Sequence, residues 1–229
     1  MKPKTPSTLA NFVDNLVFIN PQEVISTFRD EINVYTLNEL NSRANLLAKG
    51  LLYNGVTKGT PVALVLAGTT NCLTFVIALA KIGAVLVPVN KDAGLKTIQV
   101  VLKEQKIHTI GFYADAFLKK FSEIIPDYTQ SERGYLKADK FPELKNIVTF
   151  GSIKNRGIFT TRELMLLGEH MDDIEMEALI QDILPDDIFI KQVTFDKNEK
   201  STTTSITHSE LLEKNKTFPA LQNFLLNLI

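Results

Sequence analysis

The sequence predicts an α/β fold: a doubly wound, mostly parallel sheet with helices on both faces. Three observations lead to this prediction. Nearly uninterrupted apolar runs at 61–66 and 84–90 have the length and composition of strands that are buried on both faces. Between them, residues 71–83 repeat apolar positions at helical spacing, so the three segments form a strand–helix–strand unit with a parallel pair. After residue 60, helix and strand patterns keep alternating along the chain.

The elements before this unit are two helices and a short hairpin. Residues 8–18 repeat apolar positions at helical spacing and predict an amphipathic helix. Segments 23–30 and 33–36 predict short strands around a polar turn. Thr36 and Glu39 have the spacing of a capping box, which predicts the start of a second helix. The apolar face of that helix is expected to comprise Leu40, Ala44, Leu47, Leu51 and Leu52.

After residue 90 the pattern alternates in shorter segments. Capping-box patterns that begin at Thr160 and Thr207 predict two helix starts. Residues 127–143 are polar without a clear period, and we expect a surface loop there. Residues 218–229 are expected to close the chain as an apolar helix. The remaining predictions are helices over 95–105, 114–126 and 171–184, and strands over 108–113, 144–151 and 186–195.

The composition excludes several classes of function. Hydrophobic residues make up 45% and charged residues 22% of the 229 residues, which is ordinary for a globular protein. The formal net charge of -1 gives no bulk attraction to nucleic acid or to an anionic membrane. The single cysteine, Cys72, is expected to be a buried thiol, and three scattered histidines predict no metal site. The N-terminus lacks the continuous apolar core of a signal peptide, and the longest apolar stretches, 62–68 and 75–89, are too short or too interrupted to span a bilayer, so a cytoplasmic location is expected.

Several framework segments resemble one enzyme family. Residues 35–66 read YTLNELNSRANLLAKGLLYNGVTKGTPVALVL, and residues 75–90 read FVIALAKIGAVLVPVN. In this order they are similar to the N-terminal part of adenylate-forming (AMP-binding) acyl-CoA synthetases. Segments 141–151 and 157–169, FPELKNIVTFG and GIFTTRELMLLGE, are similar to the stretch before the family's phosphate loop, especially in medium-chain acyl-CoA synthetases. The resemblance covers nearly the whole chain and implies the fold of the family's N-terminal subdomain.

The resemblance places the family's phosphate loop between the last predicted strand and the helix that begins at Thr207. The family's signature there is rich in threonine and glycine, contains a lysine, and ends in threonine and histidine. Thr194, Thr207 and His208 match it, and Thr202 stands at the lysine position. The resemblance therefore implies a vestigial nucleotide-binding site at Thr194, Thr202, Thr207 and His208. For His208, the alternatives are a residual anion contact at the helix N-terminus and an inherited residue that is merely tolerated.

The glycines of that signature are missing from this chain. Asp196, Glu199 and Thr203 occupy its three glycine positions, and no glycine follows Gly168. Glycine lets successive backbone N–H groups turn toward a phosphate, through dihedral angles that most side chains disfavour. Two carboxylates would also face a polyanion, although two nearby lysines could offset their charge. The hydroxyl-rich segment 201–205 is expected to be a solvated loop rather than a phosphate contact.

We expect a single domain over 1–229. It divides into an N-terminal helix with a short hairpin (1–36), a sheet with flanking helices (37–195), a degenerate phosphate loop (196–206) and terminal helices (207–229). The resemblance implies that the family's adenine-binding stretch, metal-binding carboxylate, acyl pocket and small C-terminal domain come later than this segment. It therefore implies no catalytic residue, metal ligand or cofactor in this chain. ATP or AMP with Mg²⁺ would bind only if the vestigial site is retained.

These observations support two hypotheses from different classes of protein. The first is a truncated, degenerate acyl-CoA synthetase homologue, a pseudoenzyme that serves as an interaction, regulatory or small-ligand-binding module. The second is one part of a split ATP-dependent acid–thiol ligase that a second polypeptide completes, since adenylation needs ATP, metal and acid held in line. For partners, we expect a homodimer or a protein partner at the truncated sheet edge and the C-terminal helix, with no nucleic acid and no membrane.

Overall fold

The computed structural model describes residues 8–25, 35–65, 68–113, 115–151, 155–176, 182–217, 219–220 and 223. Its strands are β1 Pro61–Val65, β2 Val85–Val89, β3 Thr109–Phe112, β4 Asn146–Thr149, β5 Phe159–Thr160, β6 Ile188–Phe195 and β7 Ser201–Thr207. Within the described residues they form one sheet in the order β5-β4-β3-β1-β2-β6-β7. All neighbouring strands run parallel except β6 and β7, which are antiparallel. The predicted α/β fold with a mostly parallel sheet is confirmed.

Helices cover both faces of this sheet. They are α1 Leu9–Ile19, α2 Leu37–Tyr53, α3 Thr70–Lys81, α4 Leu95–Glu104, α5 Asp115–Ile124, α6 Thr161–Gly168 and α7 His208–Lys214, with a 3-10 helix at Pro126–Gln130. Alternate residues of β1 point to opposite faces, so Val62 and Leu64 join one hydrophobic core and Ala63 and Val65 the other. The first core lies under α1, α2, α3, α6 and α7, and the second lies under α4 and α5.

The predicted capping boxes set where helices begin. Thr36 Oγ1 accepts a hydrogen bond from the Glu39 N–H at 3.2 Å, and Glu39 Oε2 accepts one from the Thr36 N–H at 2.8 Å. The same reciprocal pair joins Thr160 and Glu163 at the start of α6. Each box satisfies two backbone N–H groups that the first helical turn leaves without partners. The predicted apolar face of α2 is also confirmed, since Leu40, Ala44, Leu47 and Leu51 are buried and Leu52 packs against the same core.

Two glycines let α2 and α6 approach each other closely. A Cβ on Gly50 would lie 1.9 Å from the Leu164 carbonyl oxygen, and a Cβ on Gly168 would lie 2.0 Å from the Leu46 carbonyl oxygen. Neither separation is compatible with a real side chain. The helix that precedes the sheet and the helix after β5 are therefore locked together by backbone contact.

A buried lysine connects α1, α2 and α3. The Lys81 side chain is 1% exposed, and its Nζ donates to Asp14 Oδ1 at 2.8 Å. Asn41 Nδ2 donates to the same carboxylate oxygen at 2.9 Å. The pair compensates a charge that would be costly to bury alone.

The expectation of a surface loop over 127–143 is wrong in part. Tyr128, Leu136 and Phe141 are buried in the second hydrophobic core, and the segment begins within the 3-10 helix. These apolar residues are too irregularly spaced to show a period in the sequence. They are buried because the sheet face beside α5 needs cover, which is a tertiary requirement.

The expectation of a solvated loop over 201–205 is also wrong. These residues belong to β7, which pairs with β6 from Phe195↔Ser201 to Ile190↔Ile206. Three consecutive β-branched threonines favour extended backbone, and a strand only becomes stable beside a partner. Strand β6 supplies that partner.

Three predictions lie partly outside the described residues. Of the two short strands predicted at 23–36, the structure describes an antiparallel bridge between Val24 and Thr36. In the helix predicted over 171–184, residues 173–176 are helical, 177–181 lie outside the described residues, and 182–184 are not helical. Most of the predicted terminal helix also lies outside them.

Candidate functional site

The segment expected to hold the phosphate loop is an antiparallel hairpin at one edge of the sheet. β6 joins the parallel strands through the pair Leu86↔Ile190, and β7 returns along its outer side. The strands are connected by residues 196–200, which we call the hairpin tip. The tip, rather than an open loop, is therefore the part of the segment that could meet a phosphate.

Four of the five backbone N–H groups of the hairpin tip donate within the tip. Asp196 Oδ1 accepts hydrogen bonds from the Asn198 N–H at 2.8 Å and the Lys200 N–H at 2.9 Å. The Asp196 carbonyl oxygen accepts from the Glu199 N–H at 3.0 Å, and the Asp196 N–H donates to the Lys200 carbonyl oxygen at 3.1 Å. The Asp196 carboxylate thus occupies the place at which an array of free N–H groups would hold an external anion.

The tip turns without glycine because a residue with a side chain adopts the backbone conformation that glycine usually provides. Glu199 has a φ of 60°, in the left-handed region that costs most residues energy. Its carboxylate forms an ion pair with Lys96 of α4. The five residues of the tip, 196–200, are all polar or charged, and all of them are exposed. With four of its five N–H groups already donating within the tip and two carboxylates present, the tip fits a polyphosphate poorly.

Side-chain hydrogen bonds fasten the hairpin to α4. Ser201 Oγ donates to Glu104 Oε2 at 2.6 Å, and Gln105 Nε2 donates to Thr203 Oγ1 at 3.0 Å. On the same face, Val193 and Phe195 pack against the second hydrophobic core. One face of the hairpin is therefore occupied by the protein itself.

Thr194 and Thr202, two of the four candidate residues, face each other across the hairpin. They are register partners, both are exposed, and Thr194 Oγ1 lies 3.4 Å from the Thr202 carbonyl oxygen. Thr202 carries no charge that could replace the lysine of the family signature. These two hydroxyl side chains can make neutral hydrogen bonds with a ligand but cannot balance a phosphate charge.

Thr207, the third candidate, caps α7. Its Oγ1 accepts from the Glu210 N–H at 3.2 Å, and its N–H donates to Glu210 Oε2 at 2.8 Å. Ser209 Oγ lies 3.0 Å from the same hydroxyl. The capping box occupies the Thr207 hydroxyl and directs a carboxylate at the N–H groups where an anion would otherwise bind.

His208, the fourth candidate, belongs to the hydrophobic core. Its side chain is 0% exposed, and its ring stacks on Phe189 with 4.9 Å between centroids. Nδ1 accepts a hydrogen bond from the Leu9 N–H at 3.3 Å, in the first turn of α1, where helical N–H groups lack intrahelical partners. The histidine therefore joins the two ends of the described chain rather than facing solvent.

Burial keeps this histidine neutral. Desolvation lowers the pKa of His208 from 6.5 to about 4, opposed by the Asp187 carboxylate and reinforced by the Lys58 ammonium. Because Nδ1 accepts, the proton of the neutral ring is on Nε2. Burial alone would raise the pKa of Asp187, but hydrogen bonds from Lys58 and the Leu184 N–H lower it. A neutral, buried imidazole is a poor anion ligand.

The structure brings the four candidates together in pairs. Thr194 and Thr202 lie in mid-hairpin, whereas Thr207 and His208 lie at the start of α7, five residues and about 17 Å of extended strand from Thr202. Sequence reasoning missed Asp196 as the acceptor that organises the tip. The signal was present, since aspartate commonly accepts from the N–H two residues later in a turn.

The described residues outside the hairpin offer no clear alternative site. Cys72 is buried, as predicted. In the described part of the chain, no group of three or more histidine, cysteine, aspartate or glutamate side chains could hold a metal ion. Across the described ranges, no helix has the length and apolar character needed to cross a membrane.

Comparisons with known proteins agree on one family. A model of the AMP-binding enzyme family matches residues 12–157, more than half of the chain. The chain is 24% identical over 192 residues to YngI of Bacillus subtilis (strain 168), a protein named among acyl-CoA synthetases, and covers 35% of its length. It is 20% identical over 181 residues to the mitochondrial medium-chain acyl-CoA ligase ACSF2 of Danio rerio, and covers 30% of that ligase. These matches include 82% and 77% of this chain, respectively.

A solved structure shares the fold. The N-terminal domain of FACL13 from Mycobacterium tuberculosis aligns with 96% of this chain over 54% of its own, with a TM-score of 0.71 and 14% sequence identity. At this identity the likeness concerns the fold alone. The chain thus spans between 30% and 35% of the two curated relatives and has the architecture of an N-terminal domain.

Proposed function

This chain belongs to the AMP-binding enzyme family, and we propose that it is a non-catalytic member that serves as an interaction or regulatory module. On this view the chain retains the family's framework, and this segment does not carry out the family's nucleotide chemistry. The family uses ATP or AMP with Mg²⁺, and a phosphate loop in this position would have to hold the phosphates.

The main support for the proposal is that the Asp196 carboxylate already binds N–H groups of the hairpin tip. Asp196 Oδ1 already accepts the Asn198 and Lys200 N–H groups that a bound phosphate would need. A polyphosphate would have to displace this carboxylate and approach Glu199 as well. Repulsion and lost hydrogen bonds both oppose that exchange.

The remaining candidates support the same conclusion from a different part of the fold. The Thr207 hydroxyl caps α7, and His208 is buried against Phe189. Recruiting either for a nucleotide would remove a helix cap or open the first hydrophobic core. The framework around them is intact, so the chain can fold and offer a surface to a partner without catalysing a reaction.

Calorimetric titration with ATP and Mg²⁺ tests the proposal. We expect no saturable heat up to millimolar ATP, for the unmodified protein and for Thr202→Ala and Thr204→Ala alike. Thr204 is an exposed neighbour on the same strand and serves as the matched control. Saturable binding that Thr202→Ala abolishes and Thr204→Ala retains would overturn the proposal.

Amide hydrogen exchange tests separately whether the Asp196 carboxylate holds the N–H groups of the tip. Asp196→Ala should speed exchange at the Asn198 and Lys200 N–H groups about tenfold or more, because both lose their acceptor. Glu199→Ala is the control, since that carboxylate pairs with Lys96 and accepts no N–H of the tip. Equal protection in both variants would show that Asp196 does not organise the tip.

A second candidate function is one part of a split ATP-dependent acid–thiol ligase. It is favoured by the intact framework, which aligns with the FACL13 N-terminal domain at a TM-score of 0.71. Mixing the chain with a polypeptide that carries the family's remaining parts should then give acid-dependent pyrophosphate release. Absence of release from a correctly folded mixture would remove this candidate.

A further inference from the structure

The outer edge of β7 offers backbone groups that no strand of the described residues uses. Asp196 and Lys200 are a hydrogen-bonded pair, since the Asp196 N–H donates to the Lys200 carbonyl oxygen. Hydrogen-bonded and non-hydrogen-bonded pairs alternate along antiparallel strands. The N–H and C=O groups of Ser201, Thr203 and Ser205 therefore point away from β6, toward solvent. They form a row about 14 Å long at the usual rise per residue.

This edge lacks the features that usually protect an edge strand from pairing with another chain, such as proline and charged side chains. Within β7 there is no proline and no charged residue, and residues 202–205 are exposed. The opposite edge strand is protected, because β5 has only the two residues Phe159–Thr160 before α6 begins. The contrast marks the β7 edge as the one open to strand addition.

The sequence of this edge is self-complementary. Residues 201–205 read Ser-Thr-Thr-Thr-Ser, which is the same in both directions. Antiparallel pairing of two copies about a two-fold axis at Thr203 places Ser201 opposite Ser205, Thr202 opposite Thr204, and Thr203 opposite itself. Every cross-strand pair then joins identical hydroxyl side chains, which favour one another, and no like charges meet.

We propose that a second copy of this chain pairs with the outer edge of β7, so that the sheets of the two copies become one continuous sheet. The arrangement is an isologous dimer, because the same segment is used on both sides. The inference names the partner of the proposed interaction module and in that sense rests on the proposed function. The two fail separately, since the ATP titration concerns the hairpin tip and the dimer concerns the outer edge.

Sedimentation equilibrium over the micromolar to millimolar range, with two matched variants, tests the dimer. Thr203→Pro removes an outward N–H without removing a β6–β7 hydrogen bond, and it should weaken association about tenfold or more. Thr203→Val keeps that N–H and loses only the hydroxyl contacts, so it should associate clearly more tightly than Thr203→Pro. A protein that stays monomeric throughout, or variants that associate equally, would overturn the proposal.

Disulfide trapping tests the register and does not depend on the proline variant folding. Two Thr203→Cys copies would bring their Cα atoms to about 5.5 Å, within the range that a disulfide spans. Two Thr202→Cys copies would lie diagonally, about 7–8 Å apart, and should cross-link far more slowly. The native Cys72 is 3% exposed and sets the background. Faster cross-linking at position 202 than at 203 would exclude the two-fold axis at Thr203.

Discussion

The parallel centre of the sheet and the β6–β7 hairpin lie in one sheet but are surrounded differently. Val62, Ala63 and Leu64 of β1 are 0% exposed between two helical layers, whereas residues 202–205 of β7 are exposed. In the centre, each side chain must fill a defined space on one of two packed faces. The hairpin is held by backbone pairing and a few polar contacts, which many sequences can supply. The framework can therefore keep its family pattern while the tip between β6 and β7 changes.

Charged pairs show the same difference. Lys81 is 1% exposed and donates to Asp14 in the layer that covers the central strands. Lys96 and Glu199, which join α4 to the hairpin tip, have side chains 74% and 66% exposed. Removing Asp14 leaves the buried Lys81 ammonium without its partner, whereas the second pair is screened by water.

A buried phenylalanine should separate the two regions most clearly. Phe112 of β3 is 0% exposed and contacts Phe117 and Phe121, so Phe112→Ala should lower the free energy of unfolding by about 3–5 kcal/mol. The matched change in the hairpin, Phe195→Ala, removes a half-buried ring and should cost about 1–2 kcal/mol. Urea unfolding of both variants gives the comparison. Equal losses would mean that the hairpin is as tightly packed as the centre.

The junction between hairpin and framework should respond to pH through His208. The His208 imidazole takes up a proton near pH 6.5 in the unfolded chain and only near pH 4 in the folded chain. Protonation therefore favours the unfolded chain, so the free energy of unfolding is highest above pH 6.5 and falls as the pH drops from 6.5 toward 4. Between pH 7 and pH 5 the loss should be about 2 kcal/mol. His208→Phe keeps a ring against Phe189 and should remove the part of the slope that His208 contributes. Burial also lowers the pKa of His108, which should add a slope of the same sign that this variant retains.

The control for this pH dependence is His170→Phe, at an exposed position. Urea unfolding at several pH values should give this variant the slope of the unmodified protein. The chosen pH range stays above the ordinary pKa of carboxylates, so Asp187 contributes little to the difference. A wild-type slope in His208→Phe would show that another group is responsible.

The helical layer should tolerate no added methyl group where α2 meets α6. Gly50→Ala places a Cβ against the Leu164 carbonyl oxygen and should destabilise the fold by about 1–3 kcal/mol. Gly94→Ser is the control, since a Cβ there meets nothing within 4 Å and serine suits the N-cap of α4. Thermal unfolding measures both changes. A neutral Gly50→Ala would mean that the two helices can move apart at little cost.

The smallest effect is expected at the exposed ion pair of the hairpin tip. Lys96→Ala should change the free energy of unfolding by no more than about 0.5 kcal/mol, because both partners are largely solvated. Glu199→Ala should match it within the same margin. A loss of several kcal/mol in either variant would show that the tip is structurally coupled to the core.

The predictions from sequence succeeded where interactions are local. The capping boxes at Thr36 and Thr160 depend on residues three apart, and the buried strands at 61–66 and 84–90 are visible as continuous apolar runs. The predictions at the candidate site had a different basis. They placed Thr194, Thr202, Thr207 and His208 by alignment with a signature, and nucleotide binding by these residues stays a prediction.

The sequence by itself determined the alternation of helices and strands, the starts of the capped helices and the absence of glycine from the hairpin tip. Only the tertiary structure decided that 201–205 is an edge strand, that Leu136 and Phe141 are buried, and that His208 is a core residue. The physical reason is separation along the chain. The Leu9 N–H that binds His208 is 199 residues away, and no local pattern can predict a partner that folding alone brings within 3.3 Å.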